Sequence, residues 1–242
     1  AMAVAMQVRS AIYSFVSNLQ IAANPQIIKS YGIGEYDRYM RLVYMISKYS
    51  FFLIFVLSLP LILNMQTILE FWLKNPPEYA GSFCTLTLIF CLVDSLSGPL
   101  WISMQAMGNI RLYQIVISLL LLLNLPLTYV SLSNGFPPES LLYIQIAICA
   151  VSLFVRLLFS HHYAKVSISG YLKEVVLPIT AVMSLSLPVP LFLAFRLSGF
   201  SGIGMSSISG IAFTCMSIWF VGLKRVEKDV VGEFGKSKLK NR

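Results

Sequence analysis

Long apolar runs alternate with short polar segments along the whole chain. Each run holds almost no Lys, Arg, Asp or Glu and is about 20 residues long, which lets a helix cross a hydrocarbon layer about 30 Å thick. Strands of a membrane barrel would instead alternate polar and apolar residues over about 10 positions. The pattern predicts seven membrane helices, near residues 1–27, 45–65, 81–105, 112–132, 140–159, 175–197 and 202–223.

Composition supports the same fold class. Of the 242 residues, 57% are hydrophobic and only 12% are charged, with a mean hydropathy of +0.77. A soluble domain of this length would carry about twice that share of charged residues. We therefore predict an all-α polytopic membrane protein, with a transmembrane domain over residues 1–223 and a basic tail over residues 224–242.

The net charge of +8 indicates membrane orientation rather than nucleic-acid binding, because the basic residues lie in short loops and the tail. Of the 18 Lys and Arg residues, we assign fifteen, including Lys48 and Arg156, to one side of the membrane. Only Lys74 and Arg196 fall on the other side, and Arg9 lies inside the first helix. The positive-inside rule then predicts a cytoplasmic C-terminus and contact of the tail with membrane lipids.

Arg9 is the first candidate functional residue. It lies within the first apolar run, on a helix whose polar positions include Gln20 and Asn24. The planar guanidinium matches the oxygens of a pyrophosphate on a lipid-linked substrate and stays charged at any working pH. Two structural alternatives remain open: Arg9 snorkels to the outer interface, or it pairs with Asp94.

Asp94 is the second candidate, because an ionisable group at membrane depth needs a partner or a water-filled cavity. It precedes Ser95, Ser97, Gly98 and Pro99, which predicts a helix bend with freed carbonyl groups beside the carboxylate. Such a site suits coupling to a proton or a sodium ion. Alternatively, Asp94 satisfies a neighbouring helix or the freed backbone.

Enzyme chemistry is not indicated. The sequence contains no GxSxG, GxxxxGK[ST], HExxH or CxxC motif. His161 and His162 are adjacent, rather than four residues apart as two metal ligands on one helix face would be. We predict no catalytic residue, no metal site and no cofactor.

Several segments resemble the polysaccharide and O-antigen flippases of the multidrug/oligosaccharidyl-lipid/polysaccharide superfamily. The most specific is ANPQIIKSY at 23–31, where an Asn-Pro-Gln-Ile turn leads into a basic loop. SFVSNLQ at 14–20 precedes it. Three further segments follow in matching order and spacing: EFWLK at 70–74, PPEYA at 76–80 and QAMGNIRLYQ at 105–114.

The resemblance implies a protein that moves undecaprenyl-pyrophosphate-linked glycans across the bacterial inner membrane for surface polysaccharide or lipopolysaccharide synthesis. The chain begins Ala1-Met2-Ala3 inside an apolar run, and it would correspond to the C-terminal half: one six-helix bundle plus two appended helices. The resemblance places Arg9 on the pyrophosphate and Asp94 at a coupling site. Sugar hydroxyls or the cleft wall would be contacted by neutral polar residues, namely Gln7, Gln20, Asn24 and Gln105.

Three alternatives compete with this interpretation. A relative in the same superfamily would export drugs or another lipid-linked precursor. A membrane glycan polymerase or ligase would need a large outer loop bearing Arg, His or carboxylate groups, and the predicted outer loops are short. A scaffold without transport activity would pair Arg9 with Asp94 in a dry, closed interface.

Overall fold

The computed structural model describes residues 1–108, 110–196 and 200–223, which form helices joined by turns and short connections. This confirms the predicted all-α fold class. The predicted basic tail, residues 224–242, lies outside the described residues. In chain order the helices are α1 Met2–Gly32, α2 Tyr36–Leu63, α3 Met65–Leu73, α4 Ala80–Asp94, α5 Ser97–Ala106, α6 Arg111–Leu122, α7 Asn124–Ser133, α8 Ser140–Ala164, α9 Ile168–Tyr171, a π-helical turn Leu172–Val176, α10 Leu177–Ser186, α11 Pro188–Arg196, α12 Phe200–Ser217 and a second π-helical turn Ile218–Gly222.

Six helical stretches in the described part of the chain are long and apolar enough to cross a membrane, which makes this a multi-pass membrane protein. They are Tyr36–Leu63, Ala80–Ala106, Arg111–Ser133, Ser140–Ala164, Ile168–Leu193 and Gly204–Gly222. Helix α1, with 31 residues, exceeds the length needed to cross, but its polar residues keep it below the hydropathy of the other six. The first predicted span, near residues 1–27, therefore stays a prediction.

Three helices extend beyond their predicted limits. Helix α1 ends at Gly32 rather than near 27, so the Asn-Pro-Gln-Ile turn predicted at 24–27 is wrong: Pro25 and Lys29 lie inside the helix.

Helix α2 begins at Tyr36 rather than near 45, and α8 continues to Ala164 rather than ending near 159. Lys48, 2% exposed, and Arg156 therefore lie at least about two turns inside their helices, rather than next to loops as the count of basic residues assumed. The prediction ended each helix where polar residues follow the apolar run, but polar side chains do not interrupt the backbone hydrogen bonds of a helix. The orientation in the membrane remains a prediction.

The bend predicted at Ser95–Pro99 is present between α4 and α5. Pro99 has no N–H, so the Ser95 carbonyl loses the donor that a regular helix would supply four residues later. The Gln20 side chain of α1 replaces that donor: its Nε2 lies 3.0 Å from the Ser95 carbonyl oxygen and 3.1 Å from Ser50 Oγ. Hydrogen bonds at the bend therefore connect α1 to α2 and to the span formed by α4 and α5.

The helices pack in two parts around this junction. Helix α1 contacts α2, α4 and α5, while α8 packs on α4 and α5 from another side. Helix α12 packs on α2 and α10. Its contact with the end of α2 includes a hydrogen bond that Ser206 Oγ donates to Asn64 Oδ1 at 3.1 Å. Helices α6 and α7 pack mainly on α8, and α7 has no buried residue. The bundle thus has a dense centre and one loosely attached helix.

Gly98 is required where α5 meets Gln20. A Cβ at position 98 would lie 2.2 Å from Gln20 Oε1, so Gly98→Ala would displace the Gln20 amide and leave the Ser95 carbonyl unpaired. We expect a loss of about 1–3 kcal/mol in the free energy of unfolding, measured in detergent. Gln20→Ala should cost a similar amount, and the double variant little more than either single one.

Gly204→Ala is the matched control, because no atom lies within 4 Å of a Cβ built at that helical glycine. Additive losses in the Gly98→Ala, Gln20→Ala double variant would show that the glycine acts through some other contact.

Candidate functional site

Arg9 and Asp94 line the same cavity inside the bundle. Its volume is about 300 Å³, and α1, α4, α5, α6, α7 and α8 contribute to its wall. The lining residues are Arg9, Phe90, Asp94, Ser97, Leu121, Asn124, Gln145, Ile148, Cys149, Ser152 and Arg156. Two helices that are far apart in the sequence, α1 and α8, therefore bring basic side chains to the carboxylate at the end of α4.

The two predicted ionisable residues do not pair in direct contact. No basic side chain in the described part of the chain lies within 4.0 Å of the Asp94 carboxylate in an ion pair. The Arg9 guanidinium instead lies over the Phe90 ring, with Cζ 4.8 Å from the ring centroid. Asp94 faces the hydroxyl of Tyr13, which lies one turn after Arg9 on α1. The charges thus share a cavity rather than closing a dry interface.

Arg156 is the functional candidate that sequence reasoning missed. Its Nη1 donates a hydrogen bond to the hydroxyl of Tyr113, and its Cζ lies 5.7 Å from the centroid of the same ring. Arg156 Nε is buried and has no hydrogen-bond partner among the described residues. The signal was present in the sequence, because Gln145, Cys149, Ser152 and Arg156 recur at intervals of three or four residues, the spacing of one helix face.

A second cavity, also about 300 Å³, lies beside the first. Asp94, Ser97 and Arg156 line both, so the two are adjacent around the carboxylate. Gln20 lines the second cavity, while its amide nitrogen is already engaged by Ser50 and Ser95. Its role in holding the bend is therefore observed, and its predicted contact with sugars remains a prediction.

The other predicted polar contacts do not converge on Arg9 in this arrangement. Gln7 lines a separate, mainly apolar cavity of about 370 Å³ between α1 and α3, with Leu69 and Trp72. Asn24 and Gln105 are half-buried and do not line the Arg9 cavity. Asn124 and Gln145, for which interhelical hydrogen bonds would be the usual explanation, do line it.

The described residues contain no group of three or more His, Cys, Asp or Glu side chains placed to hold a metal ion. Their polar chemistry at the cavity consists of two guanidinium groups, one carboxylate, two amides, two hydroxyls and the Cys149 thiol. Such a set can bind and orient an anion.

The Tyr113 hydroxyl should stabilise the half-buried guanidinium of Arg156. Tyr113 is 2% exposed, so Tyr113→Phe would remove a buried acceptor from a charged N–H donor at the cavity wall. We expect a loss of about 1–3 kcal/mol in the free energy of unfolding. Tyr129→Phe is the control, because that ring is 75% exposed on α7 and should have no effect. Equal effects of the two substitutions would contradict the role of Tyr113.

Comparison with known proteins identifies the class of this bundle. The family model MatE matches residues 1–130, which include Arg9, Asp94 and the helices from α1 through most of α7, but not Arg156. Searches of curated proteins and of solved structures find no match. Because the family match covers more than half of the 242 residues, the chain belongs to the MatE family, whose members are membrane transporters rather than enzymes.

Proposed function

We propose that the protein is a flippase that moves an undecaprenyl-pyrophosphate-linked oligosaccharide from the inner to the outer leaflet of a bacterial cytoplasmic membrane. The glycan would supply surface polysaccharide or lipopolysaccharide. The observation that carries this proposal is the position of Arg9: it lines a cavity within the helical bundle and has no contact ion pair with Asp94. A guanidinium held in this way can bind a pyrophosphate bidentately.

The transport cycle would use alternating access, with seven spans moving around the cavity and the C-terminus in the cytoplasm. Arg9 binds the pyrophosphate, while Gln7, Gln20, Asn24 and Gln105 contact sugar hydroxyls as the cleft changes shape. Asp94 couples the cycle to a proton or a sodium ion. Helices broken at prolines, as between α4 and α5, suit such movement because their freed backbone groups already bond to neighbouring helices.

Export of drugs or of another lipid precursor is the competing function within the same family, and MatE membership is compatible with it. The cationic side chains at the cavity favour an anionic substrate over the cationic, apolar compounds that an acid-lined cleft would bind. A non-transporting scaffold is disfavoured by the open cavity between the charged residues, and a polymerase or ligase by family membership.

Complementation tests the proposal directly. The gene is expressed in a strain that lacks its own glycan flippase, and surface glycan is measured at matched membrane levels of each variant. We expect the wild type to restore surface glycan, Arg9→Ala to abolish it, and Asp94→Asn to reduce it strongly, because each removes a charge at the cavity. Arg9→Lys should recover part of the activity, since it keeps the charge but not the bidentate geometry.

Arg38→Ala is the matched control. Arg38 is exposed and makes an ion pair with Glu35 at 3.3 Å, so its removal should leave surface glycan unchanged. If the wild type fails in several glycan backgrounds while drug tolerance rises, the protein is a drug exporter and the flippase proposal is wrong.

A further inference from the structure

An exposed tryptophan forms one wall of the second cavity, which adjoins the Arg9 cavity and shares Asp94 with it. Trp101 is 40% exposed, and the lining around it is otherwise small or polar: Tyr13, Gln20, Asp94, Ser97, Gly98 and Arg156. We propose that this Trp101 cavity binds one pyranose ring of the glycan, with the apolar face of the sugar stacked on the indole. The proposal deepens the flippase function and rests on it for the source of the sugar.

Helix α5 presents Trp101 to the cavity and packs its other side into the bundle. Ser97, Gly98 and Trp101 lie three or four residues apart, which is the spacing of one helix face, and all three line the cavity. The neighbouring residues on the packed side are buried, namely Leu100, Ile102, Ser103 and Met104. Tryptophan in a membrane helix usually marks the interface with water, but this indole shares a cavity with a carboxylate and a guanidinium. The position suits a ligand with both an apolar face and polar groups.

A pyranose combines an apolar face of C–H groups with a rim of hydroxyls. The face of an indole is the negative side of its quadrupole, so it attracts the weakly positive hydrogens of the sugar face. The Trp101 N–H makes no hydrogen bond with the described residues, so it is available to a hydroxyl of an adjoining sugar. Stacking fixes the plane of the sugar ring and directs its hydroxyls at the polar part of the lining.

The polar lining offers both acceptors and donors to those hydroxyls. The Asp94 carboxylate has no contact ion pair within the described part of the chain. Gln20 Nε2 is held by Ser50 and Ser95, but Gln20 Oε1 accepts no hydrogen bond from the described residues. Arg156 adds charged donors from α8. Because a sugar hydroxyl both donates and accepts, this mixture around one aromatic ring matches a sugar.

The size of the cavity limits it to a single ring. Its volume of about 300 Å³ lies at the lower end of small-molecule sites, and Gly98 adds no side chain to its wall. Further sugars would therefore extend beyond it. Asn24 follows Gln20 by four residues and Gln105 follows Trp101 by four, so each stands one turn further along the same helix face. These two amides are the groups that a second sugar would meet.

An organic cation is the other ligand that an aromatic ring beside a carboxylate attracts. Arg156 lines the Trp101 cavity together with Asp94, and Arg9 lines the adjoining cavity with both of them. Two guanidinium groups therefore act against one carboxylate, and a cation would meet net repulsion. A neutral sugar ring meets none, so the charges favour a sugar at Trp101.

Saturation-transfer NMR tests the contact directly. The purified full-length protein is held in lipid nanodiscs, because detergents with sugar headgroups would compete for the cavity. The probes are the methyl pyranosides of glucose, galactose, mannose and N-acetylglucosamine. Sorbitol is the control ligand, since it has the hydroxyls of a hexose but no ring face. We expect at least one pyranoside to show saturable transfer, strongest at the C–H protons of one ring face, and sorbitol to show none.

Trp101→Leu should weaken the binding of that pyranoside at least about tenfold, whereas Trp101→Phe, which keeps an aromatic ring, should lose about threefold or less. Trp219→Leu is the matched control, because Trp219 is 44% exposed and lines neither cavity. The exposure of Trp101 should leave the fold of both variants intact, and the free energy of unfolding of each is measured to check this.

The sugar site is overturned if no pyranoside shows saturable transfer, if sorbitol matches the pyranosides, or if Trp101→Leu and Trp219→Leu bind equally well. Transfer to tetraphenylphosphonium with none to the pyranosides would overturn it as well. Any of these results in a protein that restores surface glycan would keep the flippase and reject the Trp101 site. Pyranoside binding that depends on Trp101, in a protein that restores no surface glycan, would keep the site and reject the flippase.

Discussion

The cost of charge at membrane depth governs this structure. A charged side chain near the middle of a bilayer costs about 3 kcal/mol unless it finds a partner or water. Arg9, Asp94 and Arg156 meet that cost collectively by lining one cavity rather than by forming a tight ion pair. Phe90 and Tyr113 support the two guanidinium groups through their ring faces, and Tyr113 also accepts a hydrogen bond. The charges are not neutralised by direct contact, which keeps them available to a ligand.

The position of Asp94 depends on a backbone feature. Helix α4 ends at Asp94, and the Pro99 ring removes the donor that would have continued the hydrogen-bond ladder to Ser95. Gln20 supplies the missing donor, and Gly98 makes room for it. A single polar side chain on α1, that of Gln20, therefore stabilises the bend that carries the carboxylate. Arg9 lies on the same helix, about three turns earlier. The candidate site and the Gln20 junction therefore share α1 and the span formed by α4 and α5.

The sequence located the six helical stretches that are apolar enough to cross a membrane in the described residues, because a run of apolar residues is the direct signature of a lipid environment. It placed the helix ends poorly, since hydropathy falls where side chains become polar, whereas backbone hydrogen bonds continue. Helix α8 passes through Ser160, His161 and His162 before it ends, so Arg156 lies about two turns inside the helix rather than near its end. The spacing Gln145, Cys149, Ser152, Arg156 carried the information, but only packing shows that this face meets Arg9.

The helices around the cavity pack with unequal tightness, and this difference affects how a substrate would reach the cavity. On one side α1 and α4 pack against α2, α5 and α8, with buried residues such as Val16 and Leu88 between them. On the other side, Leu121 and Asn124 come from the α6–α7 stretch, which packs mainly on α8. Leu123 breaks that stretch, and Pro126 leaves the Leu122 carbonyl without a helical donor. Opening the cavity where α7 meets it would therefore disrupt less packing than opening it elsewhere. It would also leave the junction that holds Asp94 intact.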